Sequence, residues 1–231
     1  MTDSGNNTGN NTSKNTNKNT NKNTSKFGLD DVDIQESREC YSGFLKVSQL
    51  QLRHRLFGGG WSGTVTREIV QRAAGVGVLL YDPELDKVLL VEQFRVGCLD
   101  SHRGPWKLEL VAGLIDKDES PEQVAIRETG EEADIEIGHL LPVCNYYLSP
   151  GSSSEYMHTY CAGFDAAEVA AKPQQVFGLN EENEDIRTVL LSRAEADKAI
   201  VDGSIDNAMT IIALQWLGLN LGVVQEKLVN S

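Results

Sequence analysis

Basic side chains are scarce: 21 Lys and Arg oppose 34 Asp and Glu. Lys14, Lys18, Lys22 and Lys26 fall in the first 26 residues with Asp3 as their one acid, so residues 27–231 carry a net −16. A body of that sign repels a phosphate backbone, and no Lys/Arg stripe is present to anchor one, which excludes a nucleic-acid partner. A small polyanion remains admissible if metal ions neutralise it locally. Cysteine is rare too. Cys40, Cys98, Cys144 and Cys161 are far apart with no CxxC spacing, so neither a structural zinc site nor a redox pair is indicated, and buried free thiols in a reducing compartment are expected. No apolar signal-type stretch opens the chain and no segment approaches the ~20 continuous apolar residues of a membrane span, so we expect a cytoplasmic protein with no membrane partner. His54, His102, His139 and His158 form no ligand-spaced cluster.

What the chain does contain is enough apolar material, 40% of 231 residues, for one well-filled core. Residues 1–26, with their near-periodic NTNKNTNKNTSK, cannot bury enough surface to offset backbone entropy and are predicted to be disordered. Strand character follows at 44–52, 64–72, 74–82 and 87–96, with a turn at Asp82-Pro83-Glu84. The GGGW run at 58–61 lacks a following Lys-Ser/Thr and a helix pattern, so it reads as a hairpin turn rather than a phosphate-cradling loop. Further strands are expected at 139–148, 155–164 and 185–192, and helices at 193–203 and 206–219 with Trp216 in the core. The pattern predicts an α+β layered fold.

The stretch from Gly113 to Ile135 is the informative one. Ser120-Pro121-Glu122-Gln123 predicts a helix start, with Ser as cap, Pro in the first helical position and Gln closing a capping box. At about 100° per residue Glu128, Glu131 and Glu132 share one arc, and Ala125, Ile126, Thr129, Gly130 and Ala133 fall opposite as a small-residue face. No Lys follows Glu128 or Glu131 at four residues to relieve the repulsion, and the C-terminal end of a helix disfavours negative charge. A divalent cation reverses both penalties, and all-oxygen donors select a hard ion, Mg²⁺ or Mn²⁺, over zinc. The residues alone leave a metal site and a solvated charged face both open.

The same residues resemble the Nudix box, in which Gly, Glu, Arg-Glu, Glu-Glu and a final apolar residue stand at fixed spacing. Gly113, Glu119, Arg127, Glu128, Glu131, Glu132 and Ile135 match it, while Thr129 replaces an apolar residue and Asp134 replaces a glycine. Over roughly residues 38–220 the chain is similar to the bacterial ADP-ribose pyrophosphatases of that family, on TREI (66–69), EQFRVG (92–97), PWKLELVAG (105–113), LSPG (148–151) with its Pro150, ENEDIR (182–187) and DNAMTIIALQWL (206–217). The resemblance implies mixed β-sheets sandwiched between helices (α/β/α) in residues 73–231, preceded at 27–72 by an antiparallel strand region that joins a homodimer by exchanged N-terminal strands.

It further implies Mg²⁺-dependent hydrolysis of ADP-ribose to AMP and ribose 5-phosphate. Glu128, Glu132, Glu184 and the Ala112 carbonyl would hold metal, Glu182 would be the base, and Glu131 a further ligand or a support for one. Arg127 would complete the catalytic set by pairing with a box glutamate such as Glu119. Arg67, Glu68 and Arg95 would bind substrate, with Phe44 stacking on adenine. Two alternatives stand beside this: the same cleavage of another nucleoside diphosphate sugar such as GDP-mannose, and a non-catalytic module that binds ADP-ribose.

Overall fold

In the computed structural model residues 26–115, 118–173, 176–179 and 184–229 are described. The predicted disordered tail therefore lies outside the described residues, apart from Lys26. The N-terminal segment forms a three-stranded antiparallel sheet, β1 (Val32–Ser42), β2 (Lys46–His54) and β3 (Val65–Gln71). β1 is acidic and carries no strand signal of its own. It is held by pairing with β2 from Val32↔His54 to Ser42↔Lys46. β2 is thus the central strand, paired with β1 on one edge and β3 on the other. GGGW turns the chain between β2 and β3, where Arg55 bridges to Trp61, as expected. Phe44, expected in a strand, lies in the β1–β2 turn instead, because Gly43 breaks the ladder there. This segment leaves large apolar side chains in solvent: Ile34 of β1, and Phe57 and Phe44 of the connecting turns, are 57%, 81% and 86% exposed.

The second sheet is built round GVGVLLYD, β4 (Gly75–Asp82), whose residues are all buried, as a run apolar on both faces requires. Asp82 Oδ1 accepts the Glu84 and Leu85 amides at 2.8 and 3.0 Å and turns the chain into β5 (Lys87–Phe94). Then come β6 (Trp106–Glu109), β7 (Val111–Leu114), β8 (Leu140–Tyr147), β9 (Tyr156–Gly163), β10 (Val176–Phe177) and β11 (Ile186–Ser192). Their order is β10-β11-β5-β4-β9-β8, and β4 with β9 is parallel. β4 and β5 pair only from Leu80↔Leu89 to Asp82↔Lys87. Beyond that they diverge, and the gap is filled by β6 on β5 and β7 on β4. The functional residues collect at the mouth of this split.

Helices cover both faces, in the expected α/β/α layering. On one, Val76, Val78, Leu89, Val91 and Val111 pack against Val124, Ala125 and Ala133 of α1 (Pro121–Ala133). The short α2 (Ala166–Ala171) follows β9. On the other face Leu79, Tyr81, Val88, Leu90 and Leu110 meet Ala196 of α3 (Arg193–Val201) and Ala213, Leu214, Leu217 and Val224 of α4 (Ala208–Val229), with Trp216 packed at their margin. α4 continues past its predicted end at Leu219, and Gly218 and Gly222 are tolerated inside it because tertiary packing supports the flanking turns. By length and composition α4 could also cross a bilayer, contrary to the sequence reading, although in this fold its apolar stripe packs on the sheet. The four cysteines are free. Cys161 is buried and its thiol pushed up to about 12 by that burial, Cys98 and Cys144 are half-buried, and Cys40 is exposed on the open face of β1, so full burial holds for one of them.

Candidate active site

α1 begins as its sequence dictates. Ser120 Oγ accepts the Gln123 amide at 3.3 Å and the Gln123 side chain accepts the Ser120 amide at 2.8 Å, with Pro121 in the first turn. Both departures from the box pattern find an explanation. Thr129 is fully buried and its hydroxyl donates to the Ala125 carbonyl at 2.7 Å, so no polar atom is left unsatisfied where an apolar side chain is usual. Asp134 ends the helix in the left-handed region, φ 52°, ψ 43°, the conformation for which a glycine is favoured.

The buried face differs from the predicted one. Val124, Ala125, Thr129, Glu132 and Ala133 are buried, whereas Ile126 and Gly130 are exposed. At about 100° per residue that arc is centred on Glu132. The helix therefore carries a carboxylate into the sheet rather than away from it. Glu132 is 2% exposed and its Oε2 accepts the Ala112 amide at 3.1 Å across from β7. Glu128 lies against the same strand: a Cβ at Gly113 would overlap its carboxyl group, so glycine at the head of the box is what allows this approach.

The expected Arg127–Glu119 pair is present at 3.2 Å, and the same guanidinium donates to Glu128 and Glu131 at 2.9 Å each. Arg127 therefore relieves much of the crowding that its position before the glutamates conceals. Glu132 receives no such relief. Burial pushes its carboxyl up to about 8; the Ala112 amide and Arg95 oppose this, and the charges of Glu128 and Glu184 reinforce it. Glu128 is pushed up to about 7 by burial, with Arg127 pulling it down and Glu131 and Glu184 pushing it up. Glu184 thus belongs to the same electrostatic neighbourhood. Its Oε2 accepts the Leu179 amide at 3.2 Å, while the Gly178 amide donates to the Glu131 carbonyl at 3.3 Å, tying the β10 turn to the end of α1. Glu182 lies outside the described residues.

Among the described residues no three carboxylate, imidazole or thiol groups converge on one point. The donor set nonetheless suits a hard divalent cation. A buried carboxylate, Glu132, and a half-buried one, Glu128, are held beside each other with too little positive charge to offset their desolvation, and a cation supplies that charge.

The residues expected to contact substrate fall into two groups. Arg95, just past β5, lies by the box, close enough to lower the Glu132 carboxyl. Phe44, Arg67 and Glu68 are not brought to the box within one chain. Phe44 lies under the Arg72 guanidinium at 5.5 Å, Arg67 donates to its neighbour Thr66, and Glu68 accepts from Gln49 at 3.4 Å. Two residues absent from the sequence reading sit beside Arg95. Glu109 accepts from Arg95 Nε at 2.7 Å, and Gln93 is 6% exposed with its Nε2 unpartnered among the described residues. A polar residue at an inward position of a predicted strand is the signal that could have found Gln93; Glu109 lies on β6, where the sequence predicts no strand.

The comparisons with known proteins agree with this geometry. The NUDIX domain model matches residues 71–208, more than half of the chain. The chain belongs to the Nudix family. This Nudix protein is 41% identical over 203 residues to the ADP-ribose pyrophosphatase of Haemophilus influenzae, covering 87% of this chain and 92% of that one. The Escherichia coli K12 ADP-ribose pyrophosphatase is also 41% identical, over 84% of this chain and 91% of its own. A Yersinia enterocolitica GDP-mannose pyrophosphatase is 35% identical over 68% of this chain and 80% of its own. The crystal structure of an ADP compounds hydrolase superposes with a TM-score of 0.65 at 20% identity, covering 86% of this chain and 99% of that one, which shows the shared fold.

Proposed function

We propose that this Nudix protein hydrolyses the diphosphate bond of ADP-ribose to AMP and ribose 5-phosphate. The observation that carries the proposal is the pair of half-buried Glu128 and buried Glu132 on a helix wedged against Ala112, in a chain 41% identical to ADP-ribose pyrophosphatases over most of its length. Glu128, Glu132 and Glu184, with the Ala112 carbonyl, would hold the cation, for which Mg²⁺ suits all-oxygen donors. When bound, that cation neutralises phosphate oxygens and lowers the pKa of water. The protein's own part is positional. Arg127 keeps Glu119, Glu128 and Glu131 in register, Arg95 offers a guanidinium to the diphosphate, and Glu182 is proposed as the base that takes the proton from the attacking water.

We assign Phe44, Arg67 and Glu68 to the site of a second subunit, in a homodimer joined through residues 27–72. Support comes from the apolar side chains that the N-terminal sheet leaves exposed and from the distribution of partners described above. Four free thiols support a cytoplasmic location. The test is hydrolysis of ADP-ribose, GDP-mannose, ADP-glucose and NADH with Mg²⁺, with Glu128→Gln as blank. ADP-ribose should be the preferred substrate and the variant inactive. Preference for GDP-mannose would move the protein to the reading that its 35%-identical relative suggests, and a wild type with no turnover would make it a binding module.

A further inference from the structure

The face of the sheet beneath α1 is apolar at Val76, Val78, Leu89, Val91 and Val111. Between β5 and β6 buried polar groups interrupt it. Strand alternation puts Val91, Gln93 and Arg95 on that face of β5, and the pairing Val91↔Glu109 puts Glu109 beside them on β6. Burying a carboxylate costs free energy that an apolar side chain would not, and such breaches of the core pattern collect where function requires them. Glu109 has a side chain 12% exposed, against 42% for Arg95, so the acid lies below and the guanidinium above it at the surface. Burial pushes the Glu109 carboxyl up, against the pull of the Arg95 guanidinium. Arg95 Nε donates to Glu109 Oε2 at 2.7 Å.

We propose that Glu109 is a positioning residue for substrate binding. By engaging Nε from beneath, it fixes the plane of the Arg95 guanidinium and leaves the terminal Nη edge turned to the diphosphate of the nucleotide sugar. An arginine has five N–H donors in a rigid fork, so holding one edge sets the direction of the other, and bidentate recognition of phosphate oxygens depends on that direction. The flexible stem alone would leave the guanidinium to sample several rotamers, and binding would bear the entropy of ordering it. Gln93, one step back on the same face with its Nε2 unpartnered among the described residues, extends this polar row beneath the site. The proposal rests on Arg95 being a substrate residue, and the experiment separates the two.

Calorimetry on the full-length, metal-free protein, where no turnover occurs, compares ADP-ribose with adenosine for wild type, Glu109→Ala, Arg95→Ala and the double variant. Each single variant should weaken ADP-ribose about tenfold, the loss of one charge-assisted contact, and leave adenosine unchanged, and the double variant should be no weaker than Arg95→Ala. Glu109→Gln keeps the shape and an acceptor oxygen, so it should fall between wild type and Glu109→Ala, and it serves alone if the alanine variant does not fold. With Mg²⁺, KM should rise by the same factor while kcat stays near wild type. Additive losses in the double variant, an equal loss for adenosine, or unchanged affinity in Glu109→Ala and Glu109→Gln would each overturn the role of Glu109. Unchanged ADP-ribose affinity in Arg95→Ala would instead remove Arg95 from the substrate site, and the role of Glu109 with it.

Discussion

A single buried carboxylate sets the behaviour of this site. Glu132 is held at 2% exposure with one amide donor, so its charged form is costly until a cation arrives. Its folded-state pKa, about 8, lies above the value near 4.3 of an unfolded glutamate. A raised carboxyl contributes stability that is fully present below the unfolded value and is lost as the pH rises through the folded one. Thermal unfolding of the metal-free protein should therefore occur at lower temperature at pH 9 than at pH 6, and Mg²⁺ should remove most of that difference; a flat profile without metal would contradict the burial argument. Replacing Glu132 by Gln keeps an acceptor for the Ala112 amide and deletes the charge. The variant should lose about 10²–10³-fold in kcat, the scale for losing a stabilising electrostatic group, yet unfold at a higher temperature than metal-free wild type at pH 9, measured by calorimetry.

At the scale of the element, α1 is a helix whose start obeys local rules and whose end does not. The Ser120–Gln123 box and Pro121 define its first turn. Its last residue leads into a left-handed Asp134, a conformation costing an L-residue about 1 kcal/mol that glycine avoids. Asp134→Gly should stabilise the protein by up to about that amount, and Asp134→Val should destabilise it by more, since a β-branched side chain fits the left-handed region poorly. Urea denaturation reads both. The Lys172–Asp134 contact at 3.4 Å is exposed on both sides, and its loss should matter little. Turnover should change little in the glycine variant, because glycine adopts the same left-handed helix exit and leaves the turns that carry Glu128 and Glu132 in place.

At the scale of the molecule, the two sheets have different relations to solvent. The eight-stranded sheet is covered on both faces, whereas the N-terminal sheet and its turns leave Ile34, Phe44 and Phe57 exposed. If that sheet completes the site of a second subunit, Arg67→Ala and Glu128→Gln should each be inactive alone but complement on mixing. Random reassortment of subunits puts one intact site in half of the dimers, so about a quarter of wild-type activity should return. Sedimentation should show a dimer of the 25.3 kDa chain at micromolar concentration. A monomer with full activity would rule out the shared site.

Much of this was legible in the residues themselves. Period-two and continuous apolar runs located β2–β5, β8, β9 and β11 within a few positions, and the capping residues located the start of α1, because those signals are local. Helical interval put Glu128, Glu131 and Glu132 on one face for the same reason, while the chemistry came from the resemblance of Gly113, Glu119, Arg127, Glu128, Glu131 and Glu132 to the Nudix box. What only the tertiary structure decided depends on neighbours distant in sequence. β1 is a strand because β2 pairs with it. The packed arc of α1 turns Glu132 inward because Ala112, on a strand twenty residues earlier, supplies its amide. Arg127 answers three carboxylates at once, and Glu109 meets Arg95 because β6 fills the split that opens between β4 and β5. Interval along the chain cannot encode such contacts, since they are set by which strands and helices the hydrophobic faces bring together.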